Sequence, residues 1–276
     1  MVHTRPPLIS LVVPAHNSRS FLESSVVRAA KFFRDMKWSY EIVCVDDGST
    51  DGTGDIEFSD NSIRMVRHPH NQGKGAAIRT GMLVSSGQVR IITDSDLPYG
   101  VDCMTQAVYY ILYKDYHLVI GDRLLDNSVY HQVIDWRRRV ASHAFSFIVG
   151  RLITGGYYDT QCGFKAVSGE VASRLFPRLS INRFACDVEL IYASLINNLD
   201  IKRIPMVLER NETSSVRLAR DSLQTLIDVL RMKYLRTSGA YHLKNPSLYN
   251  VITAASAIQA LQRYDVSTNH RSNTLF

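Results

Sequence analysis

Two aspartates one residue apart, Asp94 and Asp96, end the apolar run Ile91-Ile92-Thr93, and Pro98 forbids its simple continuation. Side chains at i and i+2 of an extended segment point the same way. Both carboxylates can therefore meet one hard divalent cation, which can in turn hold phosphate oxygens. The same pair could instead cap a following helix. Lys74, between Gly73 and Gly75, reads as an ammonium beside a phosphate whose glycines allow close backbone approach, or as an ordinary solvated charge. Asp46, close to Gly48, reads as a turn or cap residue. A dinucleotide fingerprint fails, because Gly73-Lys74-Gly75 lacks the spaced third glycine.

The elements that must position these groups follow one another in a regular pattern. Leu8 to Val13 reads as a strand, followed by a polar turn and a helix from Phe21 to Met36. Glu41 to Val45 is a second strand that stops on Asp46-Asp47-Gly48, and Ile63 to Val66 is a third. The His70 to Gly75 stretch leads into a helix from Ala76 to Val84 before the strand with the acidic tip. Strands separated by helices, with polar residues at the strand ends, predict a doubly wound, mainly parallel α/β sheet with ligands over those ends.

Further on, a helix is expected over Val101 to Lys114 and a strand over His117 to Gly121. Trp136 to Ile153 starts on Arg137-Arg138-Arg139 and reads as a core helix or one lying on a bilayer surface. A polar turn from Asp159 enters a short strand. Phe184 to Leu195 is helical and carries Asp187 and Glu189 near its start. Ile201 to Leu208 contains Pro205 and is expected at a sheet edge, and Leu218 to Leu235 is a long helix. The expected organisation is a catalytic domain over 1–236 and a C-terminal helical appendage with a polar tail over 237–276.

Composition narrows the function classes. The 276 residues are 45% hydrophobic and 21% charged with a net charge of +6, enough for a sizeable core and suited to phosphorylated substrates or an anionic surface. Nucleic acid is not an expected partner, since zinc-finger spacing, an aromatic RNA-binding sheet motif and a basic arm are all missing. Cys44, Cys103, Cys162 and Cys186 form no Cys-x-x-Cys pair, which argues for reduced thiols and a cytoplasmic setting rather than a disulfide framework. No window approaches eighteen uninterrupted apolar residues, so membrane contact is expected only at the surface.

The blocks Val12 to Asn17, Val45 to Thr53, Asn71 to Met82, Asp94-Ser95-Asp96, Gly121-Asp122-Arg123, Asp159 to Lys165 and Asp187 to Leu190 occur in one order. In that order they resemble the inverting glycosyltransferases of family 2 with the GT-A fold, and among them the polyprenyl-phosphate sugar transferases of the dolichyl-phosphate glucose and mannose synthase type. The resemblance implies a nucleotide-sugar donor, UDP-glucose or a relative, with a Mg²⁺ or Mn²⁺ ion. Pro14, Ala15, Asn17, Asp46, Lys74, Asp94, Ser95 and Arg217 would bind the donor, and Asp94 and Asp96 the metal. Arg123, Arg138 and Ser142 would clamp the phosphate of a polyprenyl acceptor.

A phosphate acceptor is already ionised and needs no strong base. A soluble hydroxyl acceptor would need one, and Asp159 or Asp187 is the candidate, while Asp96, the third catalytic candidate, would act through the metal. The family often has Glu where Ser18 stands and Lys where Ser215 stands. A non-catalytic nucleotide-sugar binding module is the alternative that those departures leave.

Overall fold

Aliphatic runs without polar alternation suit strands covered on both faces. In the computed structural model, which describes residues 6–129, 150, 153–209 and 218–243, four such runs pair in parallel. They are β1 (Ile9–Ala15), β2 (Tyr40–Asp46), β3 (Ile63–Arg67) and β4 (Val89–Ile92). Three more strands, β5 (Leu118–Asp122), β6 (Lys165–Ser168) and β7 (Ile201–Pro205), extend the sheet to seven in the order β3-β2-β1-β4-β6-β5-β7. β6 runs antiparallel to both its neighbours, and β7, with Pro205 as its last residue, lies at the edge.

Among the described residues six α-helices cover the sheet: α1 (Leu22–Asp35), α2 (Lys74–Val84), α3 (Cys103–Tyr113), α4 (Gly169–Leu175), α5 (Cys186–Ile196) and α6 (Leu218–Thr237). The period of two along the strands separates two cores. Leu11, Val13 and Ile91 pack with Phe33 of α1 and Met104 of α3, whereas Val12 and Ile92 pack with Met82 of α2, Leu175 of α4, Ile191 of α5 and Met232 of α6. α1 buries Leu22, Val26, Ala29, Ala30 and Phe33, spaced as one stripe of a 3.6-residue helix. Full burial of a side chain such as Phe33 contributes roughly 1.5–3 kcal/mol. Residues after α6 join the second core, where Tyr241 is fully buried.

Two features differ from the sequence reading. The crossover from β2 to β3 carries a single 3₁₀ turn, Thr53–Asp55, and no α-helix. Short polar side chains there bond their own backbone: Asp46 Oδ1 accepts from Ser49 N (3.0 Å) and Asp51 Oδ1 from Thr53 N (2.9 Å), which competes with a helical ladder. The second difference is α4, which was not expected. Its signal is Ser168, whose Oγ accepts from Val171 N at the helix start. The expected helix over 136–153 lies outside the described residues apart from 150 and 153, and so does the expected appendage beyond 243. Among the described residues no helix is long and apolar enough to cross a membrane. The four cysteines are buried and free.

Candidate active site

Register brings the strand ends to one edge. Ala15 lies opposite Asp46, and Asp46 opposite Arg67, while Thr93 N donates to Val12 O. Because β6 is antiparallel, its first residue, Lys165, stands beside Ile92 of β4 and Ile120 of β5. The segment entering β6 thus meets the loops leaving the parallel strands, where ligands of open α/β sheets bind.

The loop before α2 is held by a buried carboxylate. Asp47, 3% exposed, accepts from Gln72 N (2.9 Å) and Gly73 N (2.8 Å), and His68 Nδ1 lies 2.8 Å from it. On the other side, Ala76 N donates to Asn182 O (3.1 Å). A Cβ on Gly73 would overlap Asn182 O, and one on Gly75 would overlap Ile181 O. The two glycines around Lys74 therefore serve a close approach of the 181–182 backbone.

That backbone is itself fixed by Glu189 of α5. It is fully buried and accepts from Ser180 N, Ile181 N (2.9 Å) and the Tyr241 hydroxyl (2.7 Å). With the Ser180 hydroxyl (3.2 Å), four donors replace the water it loses.

Lys74, so placed at the start of α2, reaches across to Asp94, with Nζ 2.6 Å from Oδ1. Burial opposes ionisation of Asp94. The charge and hydrogen bond of Lys74, with the charges of Lys165 and Arg123, outweigh that penalty and hold the carboxyl below its ordinary range. For Lys74 burial likewise lowers the pKa, and Asp94 and Asp187 more than reverse it, so the ammonium stays charged.

Asp159 and Asp187 are each held by a cation. Arg123 forms a forked pair with Asp159, Nη2 to Oδ1 at 2.7 Å and Nε to Oδ2 at 3.0 Å, and its backbone N donates to the same carboxylate. This pair outweighs burial and raises the Arg123 pKa. Lys165, 1% exposed, lies 2.7 Å from Asp187 and donates to Cys162 O (2.6 Å). Burial pushes the adjacent Cys162 thiol up to about 12, which keeps it a neutral wall.

The tip between the two aspartates is braced as well. Ser18, in the position where the family often has Glu, is 3% exposed, and its hydroxyl lies 3.1 Å from that of Ser95. Asn17, with φ +52°, is exposed and accepts from Thr50 N (3.0 Å), whereas Pro14, Ala15 and Asp46 are buried. Arg138, Ser142 and Arg217 lie outside the described residues. Lys165, Gly163 and Asp47 join the site without having been singled out, and the sequence signal for Lys165 is a lysine opening an otherwise apolar strand.

Gly163 sets the clearance at this tip. A Cβ there would overlap Asp94 Oδ2 and come within 2.8 Å of its Cγ. Gly163→Ala is expected to displace Asp94 and lower kcat/KM about ten- to a hundredfold, as misplacement of reacting groups does. Steady-state rates with varied donor check this, and an unchanged kcat/KM would show that Asp94 need not hold its position.

β4 ends at Ile92, and the two aspartates stand in a turn closed by Leu97 N donating to Asp94 O (3.1 Å) rather than in the expected extended segment. Carboxylates remain the donor type that a hard divalent ion takes. Asp94 and Asp96 are both partly exposed, and among the described residues no cluster of three or more His, Cys, Asp or Glu is gathered. A Mg²⁺-like ion held by one or two carboxylates completes its shell with water and substrate phosphates.

Residues 10–176 match the family model described as "Glycosyl transferase family 2". The chain belongs to this family. Relatives of this glycosyltransferase include the dolichyl-phosphate beta-glucosyltransferase of Dictyostelium discoideum, 30% identical over 253 residues covering 86% of this chain and 77% of that protein. The Homo sapiens protein of the same name is 30% identical over 263 residues, covering 88% and 80%.

Among solved structures, the glucosyl-3-phosphoglycerate synthase of Mycobacterium tuberculosis in complex with Mn²⁺, UDP and glucosyl-3-phosphoglycerate superposes with a TM-score of 0.62. The identity is 20%, with coverage of 82% of this chain and 80% of that one. Such likeness shows the fold, and the family 2 glycosyltransferase described here has the GT-A architecture.

Proposed function

We propose that this glycosyltransferase moves glucose from UDP-glucose to a polyprenyl phosphate at a membrane surface, with inversion at the anomeric carbon. The relatives named as dolichyl-phosphate beta-glucosyltransferases support the substrates. The observation that carries the chemistry is the Lys74 to Asp94 pair at the strand edge, with Lys165 and Arg123 close enough to act on the same carboxylate. An acceptor phosphate oxygen forms the new bond to the anomeric carbon from the face opposite the departing diphosphate, and the bond to the β-phosphate oxygen breaks.

Lys74 faces the developing negative charge and stabilises it without reorganising. A divalent ion bound by Asp94 and Asp96 would supply further Lewis-acid stabilisation of the leaving diphosphate. Arg123, locked by Asp159, presents a fixed guanidinium to an acceptor phosphate. Asp159 and Asp187 are already paired with cations, which favours an ionised phosphate acceptor over a hydroxyl that must lose a proton. Exposed Ile227, Leu230 and Tyr234 beside Arg231 and Lys233 on α6 suit a peripheral contact with an anionic bilayer.

The test is incubation of the protein with radiolabelled UDP-glucose, Mg²⁺ or Mn²⁺ and a polyprenyl phosphate in mixed micelles. Label is expected to enter the organic phase only when the lipid is present. Label confined to a water-soluble product would overturn the lipid acceptor, and no release of UDP under any condition would overturn the donor.

A further inference from the structure

Tyr241 lies beyond the end of α6, far along the chain from the donor edge, and is fully buried. A turn in which Ala240 N donates to Leu235 O (3.1 Å) carries it back toward α5. Asn197, just after α5, closes around it: Nδ2 donates to Tyr241 O (2.9 Å), and Oδ1 accepts from Leu243 N (2.8 Å). The Tyr192 ring meets the Tyr241 ring edge-on, with centroids 6.3 Å apart. Held in this way, the phenol donates to Glu189 Oε1 (2.7 Å). Burial and the Glu189 charge both raise its pKa, so it stays a donor.

From Glu189 a chain of bonds runs to Lys74. Glu189 holds Ser180 N and Ile181 N. Next along the backbone, Asn182 O accepts from Ala76 N (3.1 Å) and Asn182 Oδ1 from Arg79 Nη2 (2.7 Å), both on α2. Lys74 opens that helix and sets its ammonium 2.6 Å from Asp94. A buried carboxylate that loses a donor must find another, and here it can do so only by moving. Such a movement carries residues 180–182 with it, and then the first turn of α2, because Gly73 and Gly75 are packed against the oxygens of Asn182 and Ile181.

We infer that Tyr241 is a positioning residue for sugar transfer. Its hydroxyl fixes Glu189, and through the 180–182 backbone it sets where Lys74 meets the departing diphosphate. The residues that follow α6 thus serve the donor edge as well as the second core.

This inference rests on the role of Lys74 proposed above, and the experiment separates the two. Turnover of radiolabelled UDP-glucose with polyprenyl phosphate in mixed micelles, and the melting temperature, are measured on the full chain. The variants are Tyr241→Phe, Lys74→Ala, the double variant and Phe33→Leu, all assayed at a temperature where each is folded. Phe33 packs in the core on the other face of the sheet, so its variant shows what lost stability alone does to turnover.

Tyr241→Phe keeps the ring and removes the hydroxyl. It is expected to lower kcat about tenfold, with KM for UDP-glucose changed by less than about threefold. Phe33→Leu is expected to lower the melting temperature and keep the wild-type kcat. Because Tyr241 acts through Lys74, the two losses should not multiply, and the double variant should turn over at the rate of Lys74→Ala alone.

A wild-type kcat in Tyr241→Phe, or losses that multiply in the double variant, would reduce Tyr241 to a structural residue and leave the role of Lys74 standing. A wild-type kcat in Lys74→Ala would overturn the role of Lys74 and this inference with it.

Discussion

Asp96→Ala is expected to lower turnover by about 10²–10³ while leaving the melting temperature nearly unchanged, because it removes charge stabilisation of the leaving diphosphate and almost no packing. Asp96 is partly exposed at a loop tip, whereas Asp94 also anchors Lys74. Single-turnover rates with UDP-glucose, together with a Mn²⁺ titration of the variant, check it. Near-normal turnover at the usual metal concentration would remove the metal role from this carboxylate.

The largest effect on stability is expected at Asp187. Lys165 and Asp187 are 1% and 8% exposed and 2.7 Å apart, and Cys162 O is the other acceptor for the ammonium. Asp187→Ala leaves a buried charge short of a partner, an expected cost of about 3–5 kcal/mol. The double variant Lys165→Met, Asp187→Ala replaces the pair with apolar groups and should recover most of that loss. Because the Lys165 charge also helps hold Asp94 ionised, activity should stay low while stability returns. Urea unfolding of the two variants measures both terms. A single variant within 1 kcal/mol of the wild type would show that water reaches Lys165.

These two residues also mark how far a reading of the chain could go. Asp96 was legible because its signal is local: an apolar run that stops on two carboxylates one residue apart can mean only a few things. Asp187 was legible as a candidate and not as half of a buried pair, since nothing in its own neighbourhood points to Lys165 rather than to solvent. Arg123 and Asp159 behave alike, with a fork closed across a separation of 36 residues. Tyr241 went unnoticed because a tyrosine beyond a long helix is ordinary until its hydroxyl is seen on Glu189.

By itself the amino-acid order determined the strands and most of the helices, the edge at which polar residues collect, and the family, since each depends on periodicity or on a contiguous motif. Tertiary structure alone decided that β6 enters antiparallel and carries Lys165 to the mouth of the sheet, that Glu189 is buried as a brace, and that Tyr241 meets it from beyond α6. The physical reason is that ion pairs and burial are settled by strand order and register, which bring together groups far apart in the chain, and residue types and spacing do not encode which of several opposite charges will meet.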